Sequence, residues 1–142
     1  MTDIHASCVC WQNRGILLLG ASGSGKSDLC LRLISGQGAE LVADDRVDLI
    51  VSRETIYASA PEILAGMLEV RGVGILKLPS LRRSRLDLAV ELVSAPQEVD
   101  RLPQPAFWKF GGCKLPLLRL YPFEASAPDK ILAALRWPPA VK

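Results

Sequence analysis

Apolar residues in this chain fall mostly in short runs bounded by glycine, proline and polar clusters, a spacing that belongs to strands more than to long helices. Ile4 to Trp11 alternates and reads as a first strand. Gln12-Asn13-Arg14-Gly15 then carries hairpin chemistry, and Ile16-Leu17-Leu18-Leu19 reads as a buried strand, antiparallel to the first. Cys8 and Cys10 lie two apart, so they share one face of their strand as small core residues. Asp28 to Ile34 has a helical pattern predicted to stop near Ser35, where Gly36 and Gly38 supply left-handed conformations at little cost. Leu41-Val42-Ala43 opens a second apolar strand that meets Asp44-Asp45 and resumes through Val51. Ser52-Arg53-Glu54 turns it into Thr55 to Ala58, and Ala60 to Gly66 makes a short helical or irregular connection.

Met67 to Leu76 reads as one extended segment, with Glu69 and Arg71 on one face. Pro79 to Arg85 is basic and reads as a solvated loop; a mobile loop near an anion, or a patch for a protein partner, are the alternatives. Leu86 to Leu92 and Cys113 to Leu120 are predicted strands, separated by a loop with Pro96, Pro103 and Pro105. Between them Phe107-Trp108-Lys109-Phe110 reads as a lid on the core rather than a base-stacking platform. Ala127 to Leu135 is a closing helix with Ser126 as N-cap and Pro128 in its first turn. These elements predict a single α/β domain over residues 1–142, with a mixed sheet and two helices rather than a doubly wound parallel layout.

Composition narrows the function classes. Of 142 residues, 49% are hydrophobic and 23% charged, which suits one core. A net charge of +2 is too small for broad nucleic-acid affinity. No apolar run is long enough to cross a bilayer, and the N-terminus lacks a signal peptide's layout, so a cytoplasmic protein without a membrane partner is expected. Cys8, Cys10, Cys30 and Cys113 match no zinc spacing and are read as reduced thiols.

The candidate chemistry starts at Gly20-Ala21-Ser22-Gly23-Ser24-Gly25-Lys26-Ser27. Here glycine, four residues, glycine, lysine and serine lie between a strand and a helix. Glycines let backbone amides wrap a phosphate, and the helix adds unpaired N–H groups and the positive end of its dipole. In such a loop Lys26 reaches the outer phosphates and the Ser27 hydroxyl ligates magnesium, which predicts an ATP and Mg2+ site. Asp44 and Asp45 close a neighbouring strand, where an acidic residue organises the metal or its water. Successive strand residues point to opposite faces, so only one of the two faces the nucleotide unless the chain bends; a solvated turn is the alternative. Glu69 suits a hard cation and Arg71 suits phosphoryl oxygens, with an edge-strand ion pair as the plainer reading.

The phosphate loop, then Leu41-Val42-Ala43-Asp44-Asp45, then Leu68-Glu69-Val70-Arg71-Gly72-Val73-Gly74-Ile75 resemble the catalytic domain of the bacterial HPr kinase/phosphorylases, a likeness covering residues 4 to about 80. The resemblance implies an ATP-dependent kinase for a serine of HPr, the phosphocarrier of the sugar phosphotransferase system, which in many members also removes that phosphate by phosphorolysis. It implies that His5 is an active-site histidine, Lys26 the phosphate-binding lysine, Asp45 the acid/base residue, and Ser27 and Glu69 magnesium ligands, with Arg71 in the family's signature. It further implies a sheet like that of phosphoenolpyruvate carboxykinase's nucleotide-binding part, and homo-oligomers.

Departures from the family pattern carry expectations of their own. The separate N-terminal domain and the C-terminal region tied to dephosphorylation are not expected here. Tyr121-Pro122-Phe123-Glu124-Ala125-Ser126 replaces a segment with a catalytic arginine. Phosphorolysis is therefore expected to be weak or absent. A nucleotide-binding regulatory module without phosphotransfer and a small-molecule kinase are the competing functions.

Overall fold

The computed structural model describes residues 1–140. Its strands are β1 (Thr2–His5), β2 (Ser7–Trp11), β3 (Arg14–Leu19), β4 (Glu40–Ala43), β5 (Arg46–Ser52), β6 (Thr55–Ser59), β7 (Met67–Val70), β8 (Gly74–Lys77), β9 (Arg83–Leu92), β10 (Phe107–Phe110) and β11 (Cys113–Leu120). Two α-helices, α1 (Lys26–Gln37) and α2 (Ala127–Arg136), complete the regular structure, apart from two single 3-10 turns. Nine strands share one sheet in the order β1-β5-β6-β9-β3-β2-β4, with β11 joined to β9 and β10 to β11; β7 and β8 form a separate hairpin. β3 and β11 run parallel to β9 while the remaining pairs are antiparallel, so the sheet is mixed as predicted.

Two predicted hairpins form through paired left-handed residues: Gln12 and Asn13 (φ 48° and 63°), then Arg53 and Glu54 (φ 50° and 64°). That geometry matches the right-handed twist of the flanking strands. Gly15 is not part of the turn, as its neighbours imply, but sits within β3. A Cβ there would lie 2.0 Å from the Arg85 carbonyl oxygen. The close approach coincides with a register shift, since Gly15 faces Leu86 while Ile16 faces Leu88. Asp87 occupies this bulge and accepts the Gly15 N–H at 3.0 Å. β9 bends there from its partner β6 to its partner β3.

Buried residues divide into two layers. Val9, Ile16, Leu18, Leu88 and Val90 meet Leu29 and Leu33 of α1 and Ile131 of α2, while Cys8, Cys10, Leu17, Val47, Leu49, Ile56 and Leu115 fill the opposite face of the curled sheet. Cys8 and Cys10 do share a face. Half-buried Trp108 and Phe110 stack with ring centroids 5.7 Å apart and pack against the second layer, the lid their sequence suggested.

Other expectations need correction. The first strand is broken at Ala6: β1 pairs with β5, whereas β2 pairs with β3 and β4. α1 runs through Gly36 to Gln37 because only Gly38 (φ 77°) takes the left-handed cap. Met67 to Leu76 is a hairpin rather than one extended segment, turned by Gly72 (φ 83°) ahead of Gly74 (φ 131°). The basic run is strand from Arg83 onward, with the Arg83 guanidinium 4.7 Å above the Tyr57 ring and Arg85 paired to Asp87 at 3.1 Å. Ser126 precedes α2 but its side chain makes no capping bond.

Gly15→Ala is predicted to destabilise the fold by at least about 2 kcal/mol, because the methyl collides with backbone that cannot move without breaking β9. A denaturant midpoint unchanged from wild type would contradict this.

Candidate active site

β3 delivers the chain to Gly20, and α1 begins at Lys26 behind Gly25, whose φ of 105° is open to glycine. No side chain caps α1, so its first-turn amides lack side-chain partners. Ser22, Gly23, Gly25, Lys26 and Ser27 line a cavity of about 510 Å³ at this helix end, the arrangement that attracts anions. Lys26 is buried, and its ammonium donates to the carbonyl oxygens of Gly20 (2.7 Å) and Ala21 (3.0 Å). Burial pushes its pKa below that of an ordinary lysine, against the opposing pull of Asp45 and Asp44.

Asp44 is the buried hub. Ser27 Oγ donates to its carboxylate (2.8 and 3.0 Å to the two oxygens), Ser7 Oγ donates to Oδ1 at 2.8 Å, and the Glu69 N–H reaches Oδ2 at 3.4 Å. With its proton committed to Asp44, Ser27 keeps oxygen lone pairs for a cation. The strand rule would send Asp45 to the far face, but the chain bends: Asp45 is left-handed (φ 71°) and its N–H donates to Ser7 Oγ at 3.3 Å. Asp45 consequently lines the main cavity and joins Asp44, Ser27 and Glu69 in a smaller adjoining one.

His5 ends β1 with Nδ1 3.6 Å from Asp45 Oδ1 and Nε2 3.4 Å from Ser22 Oγ. Glu69 on β7 and Arg71 in the β7–β8 turn line the main cavity. The structure therefore gathers His5, Ser22, Gly23, Gly25, Lys26, Ser27, Asp45, Glu69 and Arg71 around one space. Gly20, Ala21 and Ser24 do not line it. Gly20 and Ala21 hold the lysine, while Ala21 and Ser24 border a second cavity. Among the described residues no group of three or more His, Cys, Asp or Glu side chains converges as a metal cage. Magnesium suits this set if phosphates complete its shell, since it commonly takes only one or two protein carboxylates. Burial pushes the Cys8 and Cys30 thiols up, so neither is a nucleophile.

Sequence reasoning overlooked Ser7 and Phe123. A hydroxyl alone among Ala6, Cys8 and Val9 was the available signal for Ser7, because a buried hydroxyl needs a partner. Phe123 belongs to the Tyr121 to Ser126 segment, which lies within the part of the chain that packs on the loop. No arginine lies within it, but Arg32 of α1 donates to its backbone at Pro122 and Glu124.

Fold and loop together define a mixed α/β domain with a glycine-rich strand-to-helix turn beside a carboxylate pair. The family model described as HPr Serine kinase C-terminal domain matches residues 1–126, and the chain belongs to that family. It is 44% identical over 113 residues to an HPr kinase/phosphorylase of Acidovorax sp. (strain JS42), aligning 72% of this chain and 35% of that one. With the HPr kinase/phosphorylase of Leptothrix cholodnii it shares 46% identity over 105 residues, 66% of this chain and 32% of the relative. The chain thus spans about a third of the length of these curated relatives. The structure of the Hpr(Ser) kinase/phosphatase from Coxiella burnetii superposes with a TM-score of 0.83 at 25% identity, over 96% of this chain and 95% of the other. No helix among the described residues is long and apolar enough to cross a membrane.

Ser7→Ala removes a donor from a buried carboxylate and the acceptor of the Asp45 N–H, and is expected to cost about 1–3 kcal/mol. Thermal unfolding checks this; a melting temperature equal to wild type would show that the Ser7 bonds carry no stability.

Proposed function

We propose that this chain is an ATP-dependent protein serine kinase whose acceptor is an HPr-type phosphocarrier. The carrying observation is that the uncapped start of α1, Lys26, Asp45 and Glu69 line one cavity. Family membership supports the acceptor.

A serine hydroxyl is a poor nucleophile, so a carboxylate must take its proton as the bond to phosphorus forms. Asp45 suits this role because its carboxylate is exposed in the cavity while its backbone is held by Ser7. His5, with Nδ1 3.6 Å away, would orient that carboxylate on closing to hydrogen-bond distance. Lys26 would leave the Gly20 and Ala21 carbonyls for phosphoryl oxygens, and Arg71 would brace them from the other side. Bound magnesium, held by Ser27 and Glu69, would supply further offset of phosphoryl charge.

Mass spectrometry of an HPr-type protein after incubation with MgATP should show one added phosphoryl group on serine. Asp45→Asn should slow the transfer about 10²- to 10⁴-fold, the span of general-base catalysis. An unmodified acceptor with nucleotide bound would favour a second reading, a regulatory module that transfers nothing, which the arginine-free Tyr121 to Ser126 segment supports. For the same reason phosphorolysis of phosphoserine HPr is proposed to be weak or absent, and rapid phosphate-dependent turnover would refute that.

The lowered pKa of Lys26 sets a pH dependence. Polyphosphate favours the ammonium, so MgATP affinity is full below that pKa, declines as pH rises through it, and binding in that window takes up a proton. Calorimetry in buffers of different ionisation enthalpy reads the uptake, and Lys26→Arg should abolish it. Equal proton uptake by both proteins would rule Lys26 out.

A further inference from the structure

Phe123 remains 57% exposed although it sits against the glycine loop. A Cβ on Gly25 would lie 3.0 Å from its Cζ, so ring and loop backbone are in contact. Its position is built. Arg32 donates to the carbonyl oxygens on either side, at Pro122 and Glu124, and Tyr121 meets the ring edge-on with centroids 5.7 Å apart. Phe123 also lines both spaces that flank the loop: the main cavity, and a second of about 690 Å³ bordered by Gly23, Ser24, Glu91 and Glu98. A ring needed only to seal Gly25 would be covered; this one is braced through its backbone and left open.

We propose that Phe123 is the stacking surface for the nucleobase of the bound nucleotide, with the base lodged in the second cavity. The proposal rests on the reading of the Gly20 to Ser27 loop as the phosphate site. It follows from continuity: Gly23 and Phe123 line both cavities, so a nucleotide with its phosphates along the α1 amides can extend past them from one space into the other. Aromatic rings beside a phosphate site offer any base a π-face, and on the cavity wall Glu91, paired with Arg119 at 2.8 Å, and Glu98, which accepts from the Ser94 hydroxyl and N–H, keep carboxylate lone pairs for the exocyclic amine of an amino-purine.

Calorimetry with magnesium ATP and magnesium tripolyphosphate, which has the same phosphates and no base, tests this on the whole chain. Phe123→Ala should weaken ATP binding about ten-fold or more and leave tripolyphosphate unchanged, while Phe123→Tyr should keep wild-type affinity for both. Equal weakening of both ligands would show that Phe123 merely shapes the loop, and no weakening of either would show that it does nothing for binding. Both results overturn the proposal, as would wild-type protein that binds tripolyphosphate as tightly as ATP. Wild-type protein that binds neither ligand would instead overturn the phosphate-loop reading beneath it.

Discussion

The Asp44 carboxylate is the constraint on which the rest of this structure depends. It is buried, and it accepts hydrogen bonds from β2 through Ser7, from α1 through Ser27 and from the β7 backbone at Glu69. A buried carboxylate without partners would be costly, so these three segments are drawn to one point. The same point is a corner of the sheet. Strand pairing passes from β2·β4 to β1·β5 across Ala6 and Asp44-Asp45, with the Ala6 N–H donating to the Asp45 carbonyl oxygen at 3.2 Å. The bend gives the two adjacent carboxylates different tasks: Asp44 is enclosed and ties elements together, while Asp45 is turned into the cavity beside His5.

Electrostatics at the loop complement that corner. Burying the Lys26 ammonium is unfavourable, as its lowered pKa records, and two loop carbonyls only partly replace lost water. Combined with uncapped amides at the start of α1, this leaves a site whose unmet demand is for negative charge. On the proposed function a polyphosphate would meet that demand. The carboxylates of the same cavity would repel it without a cation, and in the proposed function Ser27, its proton directed to Asp44, and Glu69 would hold one.

The family match runs through residue 126 and the Coxiella burnetii superposition covers 96% of the chain, so the Tyr121 to Ser126 segment lies within the shared framework. It packs against Gly25 of the loop through Pro122 and Phe123, and the Arg32 guanidinium of α1 donates to its backbone at Pro122 and Glu124.

By itself the sequence determined the local elements and the placement of the glycine-rich loop between a strand and a helix. Hairpins at Gln12-Asn13 and Arg53-Glu54, the strand at Cys113 to Leu120 and the glycine–lysine–serine turn were legible because each depends on a few neighbouring residues. Glu69 and Arg71 were legible as a pair, though their hairpin was not, since two glycines decide it and an alternating pattern hides it. Only the tertiary structure decided the break at Ala6, the bulge that reserves Gly15, the left-handed Asp45 and the placement of Ser7 and Phe123. Each of those depends on backbone or side chains distant in sequence, such as Arg85 over Gly15 or Arg32 beneath Pro122, and long-range crowding and hydrogen bonding leave no periodic trace along a chain.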